Sequence, residues 1–359
     1  MSTTTPVRIG IIGTGMMGLE HIRNLQAIDE ARIVAIADPH PESLEWARMT
    51  LGEGVEVPEF ADHRALLDAD LCDAVIIASP NMTHAEVLLD VLAAGVDCLV
   101  EKPLCTTMED CRRVEAAARA SDSLVWVGLE YRYMPPVARA ISVARSGEVG
   151  TVRMVAMREH RFPFLVKVGD WNRFNENTGG TLVEKCCHFF DLLGLLAGAP
   201  AVRVMASGAQ DVNHLDESYD GRVPDIIDNA LVIIEYANGV RGSLDLCMFA
   251  EGSENQEELS VVGDLGKVEA FLPSAEVRVG LRRGWRDGVV SEVVVDERVA
   301  HEGFHHGSSY LEHLDFLAAV RDRTEPVVTV ADGLASVAVG VAAQIALAEH
   351  RVVELAEVL

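Results

Sequence analysis

Basic side chains are scarce. The 359-residue chain carries 30 Lys and Arg against 56 Asp and Glu, a formal net charge of −26 at pH 7. Such a surface repels phosphate backbones and anionic lipid, which argues against nucleic-acid and membrane partners. Long apolar runs are lacking too. No stretch reads as the ~18–20 apolar residues of a membrane span, and the nearest, 334–348, is rich in Ala and Gly and interrupted by Gln344. The first residues show no charged segment leading into an apolar one, so no secretory signal is read there. The seven cysteines are an odd, scattered set without a C-x-x-C pair. That excludes a disulfide framework and fits reduced thiols. These absences together predict a soluble, cytoplasmic protein.

What is present is apolar mass, 49% of residues. At roughly 100–200 residues per domain the length suggests two domains. The first third alternates short apolar runs (Val7–Ile12, 32–37, 74–79, 98–100, 124–127) with helical patterns such as 83–94 and 108–120. Strands spaced this way imply βαβ units and a parallel sheet. After Gly128 the rhythm changes. A helix over 136–146 precedes β-rich runs at 151–160, 201–207, 227–236, 240–249, 258–262 and 268–271, and Asn238-Gly239 is a hairpin signal between two of them. Further helices are expected over 181–196, 309–321 and 332–349. The expected fold is therefore α/β. A Rossmann-type, doubly wound parallel sheet occupies 1–128, and an α+β domain with a large, mostly antiparallel open sheet occupies 129–359.

Gly13-Thr14-Gly15-Met16-Met17-Gly18 is G-x-G-x-x-G, directly after the first strand and opening a helix. The first glycine permits the tight turn, the second lets backbone approach a pyrophosphate, and the third allows close helix–strand packing. The helix N-terminus then offers free N–H groups to the diphosphate. Asp38 ends the next strand at the spacing expected of a ribose-binding carboxylate; the competing reading is a turn aspartate before Pro39. No arginine clamp follows, only Pro39 and His40, so the cofactor read here is NAD, with NADP the alternative. Two later strand ends, Ser79-Pro80-Asn81 with Thr83 and His84, and Glu101-Lys102-Pro103, are expected at the same crevice.

These residues, from Gly13–Gly18 through Asp38, Ser79 to His84 and the Glu101-Lys102-Pro103 element, resemble the glucose–fructose oxidoreductase/inositol dehydrogenase (Gfo/Idh/MocA) family. The similarity continues through Gly128, Arg132 and Pro135, Gly179-Gly180, His188 and Asp191, to Glu325-Pro326 and Asp332-Gly333. The resemblance implies a bound nicotinamide, a polyol, sugar or cyclitol substrate, and homo-oligomers, dimer or tetramer, built through the open sheet. It also implies that Lys102 and His188 are the catalytic pair, assisted by a carboxylate four residues before the histidine. Here that position is Glu184, not the family's usual Asp.

On a continuous helix Glu184 and His188 share one face. A neutral imidazole can take a carbinol proton, and an ammonium can hydrogen-bond the same oxygen. Lys185 lies at another helix phase and reads as pairing or solvated. Arg132 and Lys167 read as hydroxyl binders or as ion-pair partners, Trp171 as a sugar platform or a packed loop aromatic, and His306 as a substrate contact. His301-Glu302-Gly303-Phe304-His305 matches the zinc motif H-E-x-x-H literally, but Gly303 inside it favours a loop, so no metal is expected. Cys186 and Cys187 read as core. Two other activities fit the same fold: a nicotinamide-binding sensor without turnover, and hydrolase or lyase chemistry through transient oxidation.

Overall fold

The computed structural model describes residues 5–359. Strands β1 (Val7–Ile12), β2 (Ala31–Ala37), β3 (Glu59–Phe60), β4 (Ala74–Ile77), β5 (Asp97–Glu101) and β6 (Val125–Gly128) alternate with helices α1 (Met16–Gln26), α2 (Pro41–Leu51), α3 (His63–Asp68), α4 (His84–Ala93) and α5 (Met108–Arg119). The strands pair in parallel in the order β3-β2-β1-β4-β5-β6. This is the doubly wound Rossmann order, whose reversal lies between β1 and β4. β4, β5 and β6 are buried along their whole length, which is why they read as apolar runs without alternation. Local chemistry sets the helix starts: Pro41 opens α2, Asp62 caps α3 by accepting Ala65 N–H, and Thr107 caps α5 by accepting Asp110 N–H.

The next elements are α6 (Pro135–Ser146), β7 (Val152–His160), α7 (Asn175–Thr178), α8 (Thr181–Glu184), α9 (Cys187–Ala197), β8 (Ala201–Ala209), β9 (Asn229–Tyr236), β10 (Arg241–Cys247), β11 (Glu257–Gly263), β12 (Gly266–Leu272), β13 (Glu276–Leu281) and β14 (Val289–Val293). α10 (Ser308–Asp322), α11 (Val330–Glu349) and β15 (Val353–Glu354) complete the chain. The second sheet runs β14-β13-β12-β11-β7-β10-β9-β8-β15, antiparallel except for the β7–β10 pair. Its strands alternate buried and open positions, as a sheet packed on one face must. Asn238-Gly239 does close the β9–β10 hairpin, with Gly239 at φ +83°.

Two compact units result. One comprises the described residues through Glu130 together with Lys167–Gly169 and Arg298–Leu334; the other comprises Tyr131–Val166, Asp170–Glu297 and Ala335–Leu359.

Two expectations are corrected. The single helix expected over 181–196 is broken: α8 ends at Glu184, Lys185 and Cys186 form a turn, and α9 starts at Cys187. The Lys185 side chain is drawn into a buried ion pair there, a tertiary demand that helical periodicity cannot show. The second correction concerns α11. Its 20 residues are long and apolar enough, by length and composition, to cross a membrane. Gln344 interrupts the apolar run but not the helix. More than half of its apolar window is nonetheless buried within the protein, and Gly340 lies so close that a Cβ there would sit 2.6 Å from Leu182 O.

Candidate active site

The candidate cofactor site is the carboxyl edge of the parallel sheet. Gly13 leaves β1 at φ +91°, and a Cβ on it would lie 2.5 Å from Ser79 N, so the glycine turn rests directly on the end of β4. A Cβ on Gly18 would lie 2.1 Å from Gly13 O; a Cβ on Gly15 would meet nothing within 4 Å. The middle glycine therefore faces open space beside the first turn of α1, where no side chain caps the helix. That is the cradle a diphosphate needs: backbone it can approach, and N–H groups with no intrahelical partner.

Asp38 is nearly buried and already oriented. Its Oδ2 accepts Thr14 N–H at 2.8 Å and the Thr14 hydroxyl at 3.2 Å, and its Oδ1 accepts His40 N–H at 2.8 Å. It is thus a turn aspartate and a tie to the glycine turn at once. Three of roughly four acceptor positions are used, so one remains for a ribose hydroxyl. Asn81 is buried, and its Nδ2 finds no hydrogen-bond partner among the described residues. Together these features fit a dinucleotide, held by Gly13–Gly18, Asp38 and the strand-end residues Ser79 to Asn81.

His84 serves the edge as a brace. Its Nδ1 lies 2.8 Å from Pro103 O and its Nε2 2.9 Å from Ser79 O, joining the loops after β4 and β5. Burial holds its imidazole below the usual histidine range. A neutral ring has a single N–H, so one of those two contacts is a donated hydrogen bond at a time.

Lys102 follows β5 immediately, and its backbone N–H donates to Glu101 Oε2 at 3.1 Å. Glu101 Oε1 lies 3.0 Å from His21 Nε2, and His21 Nδ1 lies 3.0 Å from His313 Nε2. Burial alone would raise the Glu101 carboxyl. The hydrogen bond and charge of His21, with Lys102 and His305 adding, bring it down to about 2 instead. Burial and the neighbouring His21 hold the His313 imidazole far below its ordinary value. Glu130, two residues beyond β6, shows the opposite behaviour: burial and the Glu101 charge push it up to about 8.

The remaining candidate residues lie in the other unit. Glu184, His188 and Asp191 are all buried, on α8 and α9. The Tyr131 ring stacks on the His188 imidazole with centroids 4.0 Å apart and planes 12° from parallel. Lys185 is paired, not solvated: its Nζ lies 3.0 Å from Glu159 Oε1 and donates to Tyr131 Oη at 2.7 Å. Arg132 forms a two-pronged ion pair with Asp191, its Nε donating to Oδ2 at 2.6 Å. Cys186 and Cys187 are fully buried. Trp171 is half-buried, and its carbonyl accepts Asn177 Nδ2 at 3.0 Å. Lys167 is half-buried. His306 sits at φ +55° in the loop before α10, where burial lowers its imidazole.

The H-E-x-x-H residues lie on that same loop, with Gly303 at φ +55°. Phe304 N–H donates to Glu20 Oε1 at 3.0 Å, and His305 Nδ1 lies 3.1 Å from Glu130 Oε1. Among the described residues no group of three or more His, Cys, Asp or Glu is placed to hold a metal ion. Sequence reasoning missed His21, Glu130, Tyr131 and His313. For Glu130 a signal was available, because it follows a buried strand at the same edge as Lys102. For His21, three residues after Gly18, it was a polar side chain on the helix that opens the glycine turn.

Comparisons with known proteins identify the family and the fold. Residues 7–129 match the family model described as "Oxidoreductase family, NAD-binding Rossmann fold", and residues 144–355 match its C-terminal alpha/beta domain. A myo-inositol 2-dehydrogenase of Thermotoga maritima is 28% identical over 98% of this chain and all of its own length. An inositol 2-dehydrogenase of Saccharopolyspora erythraea is 30% identical over 79% of this chain and 78% of its own. Among solved structures, an oxidoreductase from Agrobacterium radiobacter in complex with NAD+, L-tartaric acid and magnesium shares the fold. It has a TM-score of 0.84, 18% identity, and coverage of 99% of this chain and 100% of that one.

Proposed function

Because the chain belongs to the Gfo/Idh/MocA oxidoreductase family, with that family's NAD-binding Rossmann fold and C-terminal alpha/beta domain, we propose that it is an NAD-dependent dehydrogenase of a polyol, sugar or inositol. The observation that carries the proposal is the Lys102 anchorage. A lysine at the carboxyl edge of a parallel sheet, beside a diphosphate cradle, is held by a carboxylate that is itself hydrogen-bonded to a buried histidine. The substrate class follows the names its relatives carry. Bound NAD supplies the hydride acceptor.

Removing hydride from a carbinol carbon requires the hydroxyl proton to leave as well. In this reading the Lys102 ammonium hydrogen-bonds the substrate oxygen and stabilises negative charge on it. The His188 imidazole, held flat against Tyr131, takes the proton or returns it in the reverse direction. Glu184 orients these groups. Arg132, committed to Asp191, serves the site by holding α9 in place and not as a hydroxyl ligand.

The expected result is that Lys102→Met and His188→Ala each lower turnover by ~10²–10⁴-fold while NADH fluorescence titrations stay close to wild type. Following absorbance of NADH across a panel of polyols measures it. Wild-type turnover in both variants would remove the assignment.

A further inference from the structure

One cluster at the sheet edge has no part in the chemistry above: Glu130, His305 and Ser309. Glu130 and Lys102 leave adjacent strands at the same edge, because β5 and β6 pair with Glu101 opposite Gly128. The Glu130 side chain is 3% exposed; its Oε2 accepts the Ser309 hydroxyl, and its Oε1 lies 3.1 Å from His305 Nδ1. His305 is 24% exposed, so the cluster runs from the sheet edge to water. We propose that Glu130 and His305 form the route by which the proton released at Lys102 during alcohol oxidation leaves for solvent. The inference rests on the dehydrogenase reading and deepens it.

The two carboxyls flanking Lys102 are driven apart. Glu101 is held ionised by His21, whereas Glu130 is kept protonated at neutral pH by burial and by the Glu101 charge. Environments that separate two neighbouring acids in this way divide the roles between them. Glu101 is the fixed anion, and Glu130 carries the proton that moves. The charged and polar groups facing Glu130 are Glu101 and Lys102 on the β5 side, Glu20 on α1, Ser309 on α10, and His305. Of these, Glu20 is occupied by Phe304 N–H and the Asn24 amide, which leaves His305 as the outlet.

The step balances without electron transfer. Glu130 gives its proton from Oε1 to His305 Nδ1, the Lys102 ammonium reprotonates Glu130, and the His305 imidazolium loses a proton to water. Lys102, then neutral, takes the proton that His188 has accepted from the substrate hydroxyl, which restores its ammonium and the neutral imidazole.

Infrared difference spectra of the protein alone, between pH 6 and 9, test the first requirement. Wild type should lose the carbonyl band of a neutral carboxylic acid with a midpoint near 8, and Glu130→Gln should lack that band. With NAD and a polyol, Glu130→Gln and His305→Ala should lose ~10²-fold in turnover in weak buffer, the low end for a positioned proton-transfer group. Free imidazole should restore His305→Ala, a rescue that a merely structural role does not produce. Should Glu130→Gln fail to fold, the partly exposed His305→Ala carries the test. An absent band, or His305→Ala turning over at the wild-type rate without response to imidazole, overturns the relay. A wild type that shows the band yet yields NADH from no polyol overturns the dehydrogenase reading instead.

Discussion

Arg132 shows how one side chain's meaning depends on its partner. Its ion pair with Asp191 is almost sealed, the two side chains being 9% and 4% exposed. Breaking a buried pair leaves an uncompensated charge, so Arg132→Ala should lower stability by about 3–5 kcal/mol in urea denaturation. A loss within error of zero would return Arg132 to the list of substrate ligands. Lys185 makes the same point. Of its two readings, paired or solvated, the first holds, because its ammonium lies between Glu159 and the Tyr131 hydroxyl. The sequence left pairing as one of two readings for each, against hydroxyl binding for Arg132 and solvation for Lys185, because neither partner is close in sequence: Asp191 lies 59 positions from Arg132, and Tyr131 lies 54 from Lys185.

The glycine turn between β1 and α1 separates two functions that its motif runs together. Gly18 has no room, since a Cβ would press on Gly13 O, whereas a Cβ on Gly15 would meet nothing within 4 Å. Gly18→Ala should therefore cost about 1–3 kcal/mol of stability through overpacking and weaken NADH binding with it. Gly15→Ala should leave the denaturation midpoint unchanged and still weaken NADH binding, because its methyl stands where the diphosphate approaches. Equal losses of stability in both variants would contradict this division. The α8–α9 break is the opposite case, an element whose sequence conceals its form. No proline stands between Thr181 and Leu196, and the turn coincides with the burial of the Lys185 side chain.

Across the whole molecule, Glu101 and Glu130 impose opposite pH dependences on folding. Glu101 titrates at about 2 when folded, against an ordinary 4.5. Its contribution is present above pH 4.5 and is lost as pH falls towards 2. Glu130 titrates at about 8 when folded, so between 4.5 and 8 the folded chain holds a proton that the unfolded chain has released. Stability therefore falls as pH rises through that window. Glu130→Gln removes this slope. The stability of the variant relative to wild type should climb from pH 4.5 to 8 and then level, as read from denaturation midpoints at several pH values. A constant difference would show that Glu130 titrates normally.

Local chemistry written in contiguous residues determined much of this protein: the alternation of apolar strands and amphipathic helices, the glycine turn with Asp38, the Asn-Gly hairpin and the lysine behind a buried strand. Each depends on backbone conformation or on spacing within one supersecondary unit, so each is legible in one dimension. Only the tertiary structure decided which distant polar groups share a desolvated space. His21 meets Glu101 across 80 positions and His313 across 292; Tyr131 lies flat on His188; Glu130 finds Ser309 across 179. Burial turns such meetings into strong hydrogen bonds and displaced acidities, and burial is a property of the packed chain, not of any segment of it.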